Sequence, residues 1–161
     1  MNREIKFRGK RCKDGRWVYG SYVESHSSWR GCKPHKSWIL PSPMTNGGWF
    51  SIRGAYPVKE ETVCQYTGLK DQNGKEIYEG DIVRWTRYNV NAEGIHNVTW
   101  VDDCTIYWND EKHAFWKHYD FENGGGASGM LDFKDERAEY IEYEVIGNIY
   151  DTPQLLKGGK E

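Results

Sequence analysis

The segment Gln65–Arg84 constrains this chain more than any other, because it holds two reversals of direction inside twenty residues. Asn73-Gly74 is a strong hairpin signal, since a type I′ turn needs positive φ at both central residues. Thr62–Thr67 before it is β-branched and aromatic, which suits a pleated, half-buried strand. Glu76–Tyr78 after it is a short returning strand. Glu79-Gly80-Asp81 then forms a second turn, with Gly80 free to take positive φ and Asp81 able to bond nearby backbone. Ile82–Trp85 begins the next strand. A segment of this kind predicts a β-rich protein with tight connections.

The same segment resembles the signature of the YopX family of bacteriophage and prophage proteins. Arg3–Arg8 opens the chain as that family opens, and Tyr143–Leu156 closes it in the same way. Trp17–Gly20 fits a common variant, whereas Glu24–Pro57 matches poorly. The resemblance implies a mainly β fold, with a small SH3-type barrel, additional N-terminal strands, irregular loops and a short C-terminal helix. It spans nearly the whole chain, read as one domain over residues 1–161, which charge sub-divides into a basic 1–60 and an acidic, barrel-forming 61–161. Its structural signature falls on Tyr66, Gly68, Asn73, Gly74, Gly80, Asp81 and Gly147. It supplies no biochemical activity and no catalytic residue.

Leu, Ile, Val and Phe number 29, about 18% of the chain, which is low for a folded domain. Eight Trp and eleven Tyr compensate, because each large aromatic buries about 150–250 Å². An aromatic core under a polar surface follows, with some rings left for an interface. Cys12, Cys32, Cys64 and Cys104 are widely spaced and form no CxxC pair, as expected for free thiols in a reducing cytosol. Met1–Glu4 is polar, so no signal peptide is expected, and no stretch reaches the ~20 apolar residues of a membrane span. The expected setting is the cytoplasm of a bacterial host cell.

Charge is unevenly divided. Residues 1–60 hold 12 Lys/Arg against 4 Asp/Glu, a net of +8, and residues 61–161 hold 10 against 20, a net of −10. Such asymmetry is neutralised within one molecule, met by a second subunit, or offered to nucleic acid.

Periodicity places strands at Arg3–Arg8, Arg16–Val23, Trp38–Leu40, Trp49–Ile52, Asn97–Val101, Cys104–Trp108, Ala114–Tyr119, Met130–Phe133 and Tyr140–Ile149. Lys13–Gly15 and Asn109–Lys112 read as turns. Asn123–Gly129 reads as a flexible loop, without the Lys-Ser/Thr of a phosphate loop. Asp135–Glu139 reads as a helical turn. Gly147 marks a bulge or bend in the last long strand. Thr152 caps a short terminal helix with Pro153 at its first position.

Three constellations merit attention. His26, Cys32 and His35 lie close together, but Cys32-x₂-His35 is a single pair where structural zinc sites show two, so no metal is expected. Cys104 or Cys64 could be paired with His96, His113 or His118, but nothing local activates a thiol, and Asp102-Asp103 reads as a solvated strand end. Lys6, Arg8, Lys10, Arg11, Arg30, Lys33 and Lys36 are interleaved with Trp29 and Trp38, a pattern that pairs phosphates and stacks bases. The chain's pI of about 6.2 argues against a dedicated nucleic-acid domain. The expectation is a non-catalytic, phage-encoded interaction module with no cofactor and no membrane partner. It acts as a homo-oligomer or on a host or phage protein. The alternative is a nucleic-acid binder using the basic half, and a metal-dependent enzyme ranks last.

Overall fold

The computed structural model describes residues 4–24, 37–41, 54–90, 96–120, 126–131 and 140–156. The protein is mainly β, in two antiparallel sheets. Two compact units divide the chain, Met1–Gly68 and Leu69–Glu161.

In the first unit, β1 (Phe7–Lys10) pairs with β2 (Trp17–Glu24), and β2 pairs with β3 (Ser37–Pro41). β4 (Tyr56–Pro57) follows β3, β5 (Cys64–Lys70) lies on the other side of β1, and β6 (Glu76–Tyr78) comes next to β5, giving the six-stranded order β4-β3-β2-β1-β5-β6. The first strand sits later than the alternation of Arg3–Arg8 suggests. Thr62, expected within β5, instead ends a short 3-10 helix at Glu60–Thr62. Its hydroxyl accepts from Lys10 N at 2.9 Å and donates to Lys59 O at 2.7 Å, so it ties the helix to β1. Inside this unit Phe7 and Tyr22 pack at a tilt with ring centroids 5.5 Å apart, and Ile39 is fully buried.

In the second unit, β6 (Glu76–Tyr78) returns from β5. The remaining strands are β7 (Asp81–Val90), β8 (His96–Asn109), β9 (Ala114–Asp120), β10 (Gly126–Met130) and β11 (Tyr140–Asn148). The last five form one sheet in the order β10-β9-β8-β7-β11. Alternation puts Val83, Trp85, Cys104, Ile106, Phe115, Ile141, Tyr143 and Val145 together in its buried core, with Ile77 and Leu131. Both sheets are open lists of strands. Neither closes on itself among the described residues, so these ladders do not form the expected SH3-type barrel.

At the signature residues the first turn differs in type from the expected one. Asn73-Gly74 does not make a type I′ turn, because only Gly74 has positive φ, at +80°. Asp71 N donates to Lys75 O and Gly74 N to Asp71 O, both within 2.9 Å, which makes a three-residue loop with glycine in the left-handed position. The reason is Asp71, whose carboxylate was not singled out by the sequence. Its Oδ1 accepts from Asn73 N at 2.9 Å and Lys75 N at 2.8 Å, and its Oδ2 accepts from Val145 N at 3.0 Å on β11. At the second turn Gly80 has φ +74°, and Asp81 Oδ2 accepts from Tyr78 N at 2.8 Å. Gly68 also has positive φ, and Tyr66 is buried.

Gly147 sits at the expected bulge, where the β7–β11 register slips between Val145 and Gly147. A Cβ there would overlap Thr152 Oγ1 and lie 2.9 Å from Leu155. The terminal helix is a 3-10 turn, Pro153–Leu156. The Thr152 hydroxyl points back to β11 rather than forward, accepting from Asn148 N at 3.0 Å.

Two expectations fail for physical reasons. The two strands expected around Asp102-Asp103 are one strand, β8, because Arg84 lies directly opposite Asp103 and binds both its oxygens at 2.8 and 3.0 Å. That pairing removes the reason for the acids to sit in a turn. The glycine-rich loop is partly β10, since Gly126–Met130 lines up with Asp120–Trp116 of β9 and gains a ladder. The expected elements at Trp49–Ile52 and Asp135–Glu139 lie outside the described residues.

Replacing Asp71 by Ala leaves three backbone N–H groups without their acceptor. Urea unfolding is expected to show a loss of about 2–4 kcal/mol. A loss below about 1 kcal/mol would mean that the turn and β11 hold together without the carboxylate.

Candidate interaction sites

The first unit carries a cation–aromatic sheet face. The register sets Lys10 opposite Trp17 and Arg8 opposite Tyr19, so all four share one side. Arg8 Cζ lies 4.6 Å from the Trp17 ring centroid and Lys10 Nζ lies 5.4 Å from it. Arg8 is buried against that ring, which fixes the indole on the sheet. Further along the same side of β2 come Tyr19 and Val23, 44% and 41% exposed, with Trp38 opposite Val23. Arg11 stacks on Tyr56 at 4.3 Å and pairs with Asp14 at 3.4 Å. Lys6 is half-buried, and its carbonyl accepts from Tyr66 N at 2.8 Å.

Of the basic and Trp residues chosen from sequence, Arg8, Lys10 and Trp38 therefore share this face, while Lys6 and Arg11 serve the backbone and Tyr56. Trp29, Arg30, Lys33 and Lys36 lie outside the described residues. Trp17 and Tyr19 were missed as contact residues. Their signal was present, because i and i+2 in a strand share a face with the cations that pair across from them.

The second unit presents a different surface. β9 pairs with β8 only from Thr105 to Asn109. On that side His96–Asp103 has no neighbouring strand among the described residues. Val98, Trp100 and Val101 on this stretch are 58%, 52% and 46% exposed. Trp100 lies opposite Arg87, two positions beyond the Trp85–Asp102 pair, so the core-facing side of the sheet runs out into solvent there.

Among groups with chemical potential, Cys104 is fully buried, and burial pushes its thiol up to about 12. Lys117 pulls it down and Asp102 and Asp103 push it up, both more weakly than burial. A thiol so held is not a nucleophile at neutral pH. Lys117 is itself buried: its ammonium donates to Tyr143 Oη at 3.1 Å and lies 4.3 Å from the Trp85 ring centroid. Aromatic faces and a hydroxyl replace part of its water. His118 Nδ1 and Ser128 Oγ are 2.8 Å apart on an exposed face. His26, Cys32 and His35 lie outside the described residues, and no cluster of three or more metal-ligating side chains occurs among the rest. No helix among the described residues is long and apolar enough to cross a membrane.

The sign of charge follows the two units. Met1–Gly68 carries 12 basic and 5 acidic residues, net +7, and Leu69–Glu161 carries 10 and 19, net −9. A family model described as YopX protein matches residues 6–157. No curated protein matches the chain.

Thiol labelling checks the cysteine assignments. Cys12 is exposed, whereas Cys64 and Cys104 are buried. In the native protein Cys12 is expected to take iodoacetamide at pH 8, and Cys64 and Cys104 only after unfolding, as read by mass spectrometry of the peptides. Because the folded state holds the Cys104 proton more tightly, stability falls as pH rises from the ordinary thiol value of 9.0 toward about 12. Rapid native labelling of Cys104 would contradict its placement.

Proposed function

This chain belongs to the YopX family, and we propose that it is a non-catalytic interaction module that self-associates in the cytosol of a phage-bearing bacterial cell. The observation that carries the reading is the half of β8 beside which no described strand lies. His96–Asp103 offers main-chain donors and acceptors beside three exposed apolar side chains. An edge of this kind is a template for another strand. Natural edges are commonly blunted by inward charges or proline; Val98–Val101 carries neither, and the acids Asp102 and Asp103 come only at its end. A second copy is the occupant best matched to it. Opposite net charges on the two units would steer and orient two identical chains, so that the basic unit of one approaches the acidic unit of the other. A host or phage protein presenting an extended strand would use the same edge.

Size-exclusion chromatography with light scattering tests this. A dimer or larger assembly is expected at micromolar concentration. Trp100→Lys, at a half-exposed position, is expected to weaken assembly at least about tenfold without loss of fold. A strict monomer at that concentration would remove the self-association.

A further inference from the structure

We infer that the β1–β2 face of the first unit binds single-stranded nucleic acid. The site combines an aromatic platform with a cationic rim. Trp17 and Tyr19 stand on one side of β2, at the separation of about 6–7 Å that a strand gives to positions i and i+2. Trp17 is held by Arg8 and Lys10, whereas Tyr19 is 44% exposed. The platform continues along the same side to Val23 and Trp38. At its end the β1–β2 connection presents Lys13 and Arg16, both exposed, beside Lys10. One acid shares that connection: Asp14 pairs with Arg11 at 3.4 Å and accepts from Arg16 N at 3.2 Å, so it neutralises Arg11 and shapes the turn.

A sheet face on which Tyr19 is 44% exposed suits unstacked bases, because every base has a π-face and stacking tolerates sequence. Duplex DNA keeps its bases stacked inside and offers only phosphates to such a surface. The +7 charge of this unit supplies the complementary field. The β8 edge itself uses other residues, whereas charge steering between copies draws on this same basic unit, so Trp100→Lys and Tyr19→Ala separate the two readings.

The test is fluorescence anisotropy with the full chain and a fluorescein-labelled oligothymidylate of about ten nucleotides. A duplex of equal length and heparin serve as comparison arms. The single strand is expected to bind more tightly than the duplex. With Lys10, Lys13 and Arg16 each neutralising one phosphate, affinity is expected to fall roughly twentyfold between about 50 and about 200 mM salt. Tyr19→Ala is expected to weaken the single strand at least about fivefold and to leave duplex binding unchanged. The paired change Lys13→Ala and Arg16→Ala is expected to flatten the salt dependence. Circular dichroism of each variant confirms its fold, and Trp100→Lys is expected to bind the oligonucleotide as the parent does. No binding at the lower salt would overturn the inference. So would equal binding of duplex and single strand, or an unchanged affinity for Tyr19→Ala. Loss of self-association in Tyr19→Ala, with no oligonucleotide bound, would assign the face to the acidic unit of a second copy and overturn it equally.

Discussion

The second unit depends on one buried carboxylate. Asp71 is only 6% exposed, and the transfer of an ion out of water is tolerable only when its oxygens are met by donors. Three backbone N–H groups meet them, two in its own turn and one on β11. The neighbours reinforce the same junction. Gln72 N donates to Tyr143 O at 2.9 Å, and Lys75 Nζ reaches Val145 O at 3.3 Å. Val145 is where the β11 register slips, so the turn and the bulge fix one another. Beyond the bulge, Gly147 makes room for Thr152, whose hydroxyl holds Asn148 N. A chain of contacts thus runs from the hairpin turn to the C-terminal 3-10 helix.

The second turn is fastened in the same manner. Gly80 N donates to Ile106 O at 2.8 Å and Gly80 O accepts from Ile149 N at 2.9 Å, so the turn lies between β8 and the residue following β11. Two connections that look local are therefore tertiary fasteners. That difference explains what sequence could read. Asn73-Gly74 and Gly80-Asp81 announced reversals through backbone preference, which is a property of neighbouring residues. The reach of Asp71 to Val145, across 74 residues of chain, has no local signature, because an aspartate in a turn usually serves only that turn.

The same boundary between local and distant causes separates the strands that were legible from those that were not. Trp17–Glu24, Ala114–Asp120 and Tyr140–Asn148 carry strong β-branched and aromatic patterns and were found nearly as read. β8 was divided in two because Asp102-Asp103 looks like a solvated turn until Arg84 is known to lie across from it. β10 was missed because its Gly, Ala and Ser have no intrinsic preference for a strand, and its ladder comes entirely from β9. At the candidate nucleic-acid face the cations were visible, but the partner rings were sought among Trp29 and Trp38. The antiparallel register, not proximity in sequence, brings Trp17 and Tyr19 to Lys10 and Arg8.

Charge gives the last step. A pI near 6.2 describes an average over two units of opposite sign, and a polyanion does not encounter the average. Screening in physiological salt confines each field to about 8 Å, so a ligand at the β1–β2 face responds to the cations within that distance. Arg8 and Lys10 do two things there at once. Placed over Trp17, they stiffen the ring they would need as a platform, and half-buried Lys10 holds its charge beside that ring rather than dispersed on a mobile side chain. Arranging cations before a ligand arrives lowers the ordering that binding would otherwise require. Among the described residues of the acidic unit, Arg84 is paired with Asp103, and Lys117 is buried against Trp85 and Tyr143.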